Sequence, residues 1–322
     1  FRKKVFGLWI LERKSEMKLG FVSAILDMCS YEQMMDFASE NGFECVEVAC
    51  WPEGKAERRY AGVSHIDALK VLVNDTYAEH IKEYSRQKGV TISSLAYYPN
   101  TMDGNIEKRD MAIEHLKNVI KASQKLSIGM VTTFIGRDQT KTVEENLELV
   151  KEIWPSIIEL AEKSNIRIAI ENCPMLFGAD QWPGGQNLMT TPKIWKEVFD
   201  LLPSKNLGIN YDPSHFVWQM IDYIKPIYEF KDKIFHVHYK DIKLFRERLD
   251  DCGIMAYPLE FMLPKLPGLG DVDWGKYVSA LTDIGYNGNT CIEIEDKAFE
   301  GSRENIEKSL LLSQRYLRQF VI

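Results

Sequence analysis

The sequence predicts an α/β protein built as a single (β/α)8 TIM barrel. Three observations carry that expectation: short β-rich runs recur eight times, amphipathic helical stretches separate them, and no dinucleotide-binding glycine fingerprint follows a strand. Several runs are almost continuously apolar, as parallel strands covered on both faces should be. Eight such units within 322 residues point to a closed barrel rather than an open doubly wound sheet.

Taken in order, the expected strands are Lys18–Ser23, Cys45–Cys50, Thr91–Tyr97, Met130–Ile135, Arg167–Glu171, Leu207–Tyr211, Ile234–Tyr239 and Thr290–Ile294. Met111, Ile113, Leu116, Val119, Ile120 and Leu126 follow helical spacing, as do Leu147, Val150, Ile153, Ile157 and Leu160. Pro155 falls inside the second set and should kink or restart that helix. Gly268 and Gly270 follow a loop rather than a strand, which sets them apart from a nucleotide fingerprint. Two long excursions stand out, Cys173 to Pro192 and Leu244 to Asp273. On a barrel, long loops after strands lie on the face that carries chemistry.

Residues 1–16 are read as an N-terminal appendage and residues 17–322 as the catalytic barrel. The appendage runs basic, apolar, then charged, in the order of a signal peptide. Its apolar stretch Val5–Leu11 is short, and no small-residue cleavage site follows. Six cysteines without CxxC pairs suit buried free thiols in a reducing compartment, so a cytoplasmic location is expected. The net charge of -7 argues against nucleic acid, and no apolar run of ~18 residues would span a membrane.

The chemistry is expected where strands end. The fifth run closes Ile170-Glu171-Asn172, the sixth Tyr211-Asp212-Pro213-Ser214-His215, the seventh His236-Val237-His238-Tyr239-Lys240-Asp241, and the eighth Ile292-Glu293-Ile294-Glu295. Each alone has an ordinary role: a helix-capping carboxylate, a turn aspartate, a core histidine. Four in succession ask for a cation on Glu171, Asp212, His238 and Glu293. His236 shares the parity of His238, and Glu295 competes with Glu293; His238 and Glu293 lie better placed at the strand ends. Three carboxylates and one imidazole suit one hard or borderline divalent ion: Mn²⁺ first, with Mg²⁺, Co²⁺ or Zn²⁺ as alternatives. His65, His80 and His115 are read as solvated surface.

These motifs, with Gly270-Asp-Val-Asp273-Trp274, resemble the xylose-isomerase-like superfamily of sugar phosphate isomerases and epimerases across nearly all of residues 17–318. That superfamily includes ketose 3-epimerases, inosose dehydratases and DNA-repair endonucleases. The resemblance implies the same four metal ligands, proton exchange by Glu171 and Glu293, and substrate contact by His215. Repair members carry extra histidines for three zinc ions; the run Leu95-Ala96-Tyr97-Tyr98-Pro99-Asn100 supplies none, so a nuclease is not expected. The Gly-Glu-x-x-Arg-like segment of ketose epimerases is also missing. The stretch from Glu171 to Gly185 resembles a subgroup acting on 3-keto-sugars or glycosides, lyases among them.

The expected activity is therefore a divalent-metal-dependent sugar isomerase or epimerase that abstracts a proton beside a metal-bound carbonyl, through an enediolate. A lyase or dehydratase using the same enolisation is the alternative, and a non-catalytic binding subunit is a third. Lys240, Trp182, Tyr97 and Asn100 join His215 as expected substrate contacts, with Trp51, Tyr98 and Trp218 as further pocket walls. The partners expected are a small sugar or glycoside and further copies of the chain.

Overall fold

The computed structural model describes residues 17–54, 61–176 and 184–321. The expected appendage over residues 1–16 and Trp182 lie outside these described residues. Eight parallel strands close a barrel: β1 (Lys18–Val22), β2 (Cys45–Ala49), β3 (Thr91–Ala96), β4 (Met130–Thr133), β5 (Arg167–Glu171), β6 (Leu207–Tyr211), β7 (Ile234–Tyr239) and, after an inserted pair, β10 (Asn289–Ile292). The first seven pair in sequence order, and β10 seals the ring between β7 and β1. Every expected strand is present, with ends within two residues of expectation.

Helices cover the outside: α1 (Tyr31–Glu40), α2 (Ala68–Val73), α3 (Asp75–Lys88), α4 (Ile106–Leu126), α5 (Val143–Lys163), α6 (Pro192–Leu201), α7 (Ser214–Trp218), α8 (Lys225–Glu229), α9 (Arg246–Cys252), α10 (Trp274–Asp283) and α11 (Arg303–Leu317). Their starts are written locally. Ser30 with Gln33 and Thr142 with Glu145 form reciprocal capping boxes, each satisfying backbone N–H groups that the first turn leaves unpaired. In α4, Leu116, Val119 and Ile120 bury against the barrel as their spacing requires; Met111 of the same stripe instead faces solvent at 59% exposure. α5 runs through Pro155 without restarting.

The excursion expected as a loop after residue 244 contains a structured flap. β8 (Asp241–Leu244) pairs antiparallel with β9 (Met262–Lys265), and α9 lies between them. Neither four-residue strand alternates cleanly, and Pro264 sits inside the second, so neither reads as a strand. The flap is rooted by Asp241, whose carboxylate accepts from the backbone N–H of Ile242, Gly268, Gly270 and Val272 and from the Trp274 indole. That buried acceptor explains the glycines: a Cβ on Gly270 would stand 2.2 Å from Asp241 Oδ1, and Gly268 has φ +91°.

Two histidines read as surface are in fact buried. His65 donates from Nε2 to the Leu26 carbonyl (3.1 Å) and accepts at Nδ1 from Ser23 Oγ (3.0 Å), whose oxygen in turn accepts from the Ala49 N–H. His115 donates to the Cys50 carbonyl at 2.9 Å. Each ties a helix or loop to the neighbouring backbone, and burial lowers the pKa of both imidazoles. His80 is exposed, as expected.

Candidate metal centre and active site

Strand parity delivers the site. Along β7, Phe235, Val237 and Tyr239 face the helices, where Tyr239 meets Trp274 and Tyr277 of α10. His236, His238 and then Lys240 therefore point into the barrel. Glu171 is the last residue of β5, and Asp212 and Glu293 directly follow β6 and β10. The ladder holds one residue past β10, with the Glu293 N–H donating to the Tyr239 carbonyl at 3.2 Å.

Asparagines lock these strand ends. Asn172 donates to the Asp212 carbonyl (2.9 Å) and accepts from the Asp212 N–H (2.8 Å), clamping β5 to β6. Asn187 donates to the carbonyls of Glu171 and Cys173 and accepts from the Ile135 N–H. Asp212 plays two parts: Oδ1 accepts from the Ser214 N–H at 2.8 Å, as a turn aspartate does, while Oδ2 faces His215 and Lys240.

Five buried atoms converge there, none with an aligned hydrogen bond: Glu171 Oε1, Asp212 Oδ2, His215 Nε2, His238 Nδ1 and Glu293 Oε2. His238 Nδ1 lies 3.2 Å from Glu293 Oε2 and 3.7 Å from Glu171 Oε1; His215 Nε2 lies 3.2 Å from Asp212 Oδ2 and 3.6 Å from Glu171 Oε1. Lys240 Nζ stands among four carboxylates, 3.0 Å from Glu293, 3.1 Å from Asp212, 3.5 Å from Glu295 and 4.0 Å from Glu171.

Among the described residues, one ammonium and the imidazoles of His215 and His238 stand against these four carboxylates, two of which are partly exposed. Burial opposes ionisation of Asp212, yet Lys240 and His215 hold its carboxyl well below the usual range. Burial likewise opposes the Glu293 charge, and Lys240 with His238 outweighs it, lowering the carboxyl to about 2. The carboxylates in turn raise Lys240 far above its ordinary value against the same burial. Buried polar atoms without partners are rare and costly, so oxygen and nitrogen atoms orphaned together fit a divalent cation. Three carboxylate oxygens and an imidazole nitrogen make a donor set for a hard or borderline ion. Among the described residues, Glu171, His238 and Glu293 form one triad with ligand atoms close enough for an ion; Glu171, Cys173 and His215 form another, and Glu47, His236 and His238 a third.

Glu47 is the site residue that sequence reasoning missed. It is fully buried in β2, its Oε2 lies 2.9 Å from His238 Nε2, and its Oε1 accepts from the Tyr98 hydroxyl at 2.6 Å. Its charge depends on those neighbours: burial works against it, but His238 and His236 keep the carboxyl below its normal range. The available signal was a lone carboxylate at the centre of the apolar run Cys45–Ala49. His236 lies deeper, bonded to Asn210 Oδ1 (2.9 Å) and Ser93 Oγ (3.0 Å). Glu295 flanks Lys240 rather than His238.

The other expected contacts divide. His215 and Lys240 line a cavity of about 690 Å³ above the cluster, together with Glu171, Glu293, Trp51, Tyr98 and Trp218. Tyr97 and Asn100 stand apart. Parity turns Tyr97 outward, edge-on to His115 (4.6 Å) and Trp51 (4.9 Å). Asn100 spends its amide on the loop, donating to the Arg137 carbonyl and accepting from the N–H groups of Met102 and Arg137.

Three kinds of comparison agree on the architecture. Residues 35–319 match the family described as xylose isomerase-like TIM barrel. An inosose dehydratase of Clostridium perfringens is 23% identical over 289 residues, covering 87% of this chain and 91% of the relative. The IolI protein crystallised with a bound zinc atom superposes with a TM-score of 0.70 at 17% identity, covering 94% of this chain and 99% of that one. The 3-keto-D-glucoside 4-epimerase of E. coli gives 0.67 at 15% identity, covering 94% and 100%. At these identities the structural likeness establishes the fold. No helix among the described residues is long and apolar enough to cross a membrane.

Proposed function

The chain belongs to the xylose isomerase-like TIM barrel family, and from that premise we propose that it is a divalent-metal-dependent sugar isomerase or epimerase acting on a keto-sugar or keto-glycoside. The observation that carries this reading is the convergence of Glu171, Asp212, His238 and Glu293, each with a buried atom that lacks an aligned hydrogen bond, where Glu171 and Glu293 line the cavity. An ion on those four residues, with Mn²⁺ the first choice, supplies Lewis acidity that polarises a carbonyl and acidifies the neighbouring C–H.

The protein's own groups handle the proton. Glu171 and Glu293 reach the cavity from strands separated by β6 and β7, so they approach a bound substrate from two sides. One glutamate, ionised, takes the proton from carbon and leaves an enediolate; the other, having first taken a proton from solvent, delivers it to the opposite face of that carbon and inverts it, so that the two end with their protonation states exchanged. His215 and Lys240 offer N–H groups to substrate oxygens, while Trp51, Tyr98 and Trp218 hold water away from the reacting carbon.

A second reading, lyase or dehydratase, is favoured by Lys240 and His215 together. Both stand beside the carboxylates as proton donors for a leaving group on the next carbon, and a relative is an inosose dehydratase. Incubation with Mn²⁺ and 3-keto-glucosides in D₂O separates the two. Deuterium uptake with the skeleton intact marks the epimerase, and release of the aglycone marks the lyase. Neither event with any keto-sugar tested would remove both.

A further inference from the structure

The cavity is charged at its floor and along one side, where Lys265, Glu295, Asp296 and Lys297 also line it. Above Glu171, His215, Lys240 and Glu293 most of the remaining wall is apolar, formed by Ile25 beyond β1, Trp51 beyond β2, Phe134 beyond β4, Met175 beyond β5, and Leu259 and Leu263 of the flap. We propose that this upper chamber is a subsite for an aromatic group carried by the substrate, so that the preferred substrate is an aryl glycoside rather than a free sugar. The proposal rests on the keto-sugar reading of the floor.

Three observations support it. About 690 Å³ lies in the range, roughly 300–1,000 Å³, that encloses a drug-sized ligand. A sugar's hydroxyls set against those walls would lose their bonds to water without replacement, whereas an aromatic ring gains by leaving water. The walls are also held in place rather than free to collapse. Trp51 stands edge-on to Tyr97 at 82°. The flap is fixed by the β8–β9 ladder, by the Phe245 N–H on the Phe261 carbonyl (2.8 Å), and by Lys265 Nζ 3.4 Å from both carboxylate oxygens of Asp296. A rigid aromatic loses little conformational entropy on entering such a slot.

The test is calorimetric titration of the full chain, loaded with Mn²⁺, with phenyl and methyl β-D-glucosides and their 3-keto forms. The expected result is that each phenyl compound binds at least tenfold more tightly than its methyl counterpart, and that Leu263→Asp erases the preference. Trp51→Ala, which adds no charge, serves if L263D fails to fold. Equal affinities, no binding of the phenyl compounds, or a preference that survives both substitutions would overturn the subsite. Deuterium exchange of the keto forms is read in parallel. Exchange without aryl preference removes the chamber and keeps the enolising floor; aryl preference without exchange does the reverse.

Discussion

His238 Nε2 and Glu47 Oε2 lie 2.9 Å apart across the barrel, although their strands are separated by β1 and β10 and their positions by 191 residues. Were a divalent ion to take Nδ1, which faces Glu293 and Glu171, Nε2 would keep its proton for the Glu47 carboxylate. Outer partners of this kind typically contribute ~10–100-fold to metal affinity. Glu47→Gln is expected to weaken Mn²⁺ binding by that factor, about 1.4–2.7 kcal/mol, in competition titration against a chelating dye. Unchanged affinity would reduce Glu47 to a packing role.

Glu171→Gln keeps shape and hydrogen-bonding capacity while removing the base. Turnover is expected to fall by at least ~10²–10⁴-fold, with the far-ultraviolet circular dichroism unchanged. Retention of wild-type deuterium exchange would defeat both enzymatic readings.

Removing divalent ions should cost stability, because the carboxylates of Glu171, Asp212, Glu293 and Glu295 crowd round Lys240 and then lack the divalent charge that would offset their mutual repulsion. A bound ion stabilises by RT ln(1 + [L]/Kd), about 2.7 kcal/mol at a hundredfold excess over Kd. Thermal melts with EDTA should shift down, and Mn²⁺ should restore them. Coincident melts would argue that no ion resides there.

Acid sensitivity below neutrality should trace to His65. Burial lowers its pKa below the ordinary 6.5, so the unfolded chain binds the proton first. Stability is therefore complete above about pH 6.5 and is lost as the pH falls from there toward the lower folded value. Urea midpoints at pH 7.5 and pH 5.5 measure it. His65→Gln is expected to lower the midpoint at pH 7.5 and to shrink the difference between the two.

Gly270→Ala probes the flap root. The added methyl would meet Asp241 Oδ1 at 2.2 Å and the Ile242 carbonyl at 2.3 Å, and the latter is backbone that cannot swing aside. A loss of about 1–3 kcal/mol in unfolding free energy is expected. A neutral result would mean that the Asp241 hub is loosely held.

The barrel was legible because each strand signals itself locally. Arg167–Glu171, Leu207–Tyr211 and Ile234–Tyr239 need only their own apolar runs, and Glu171, Asp212 and His238 stand at or within one residue of their ends. What stayed hidden was set by partners remote in sequence. His65 and His115 look solvated until the carbonyls of Leu26 and Cys50 arrive from 39 and 65 residues away. Lys240 reads as a substrate contact, and only the fold brings four carboxylates round it. Tyr97 and Tyr98 differ by one step of pleat, which sends the first to the helix layer and the second to Glu47. The flap escaped notice because a four-residue ribbon carries too few positions to show a period.

The flap also divides labour along the chain. The proton-moving groups sit on rigid strand ends, whereas much of the overhanging wall belongs to an excursion tied down by Asp241 at its root and by Lys265 on Asp296. Residues 245–264 can therefore drift in sequence, reshaping what is admitted, while the reacting centre beneath keeps its geometry.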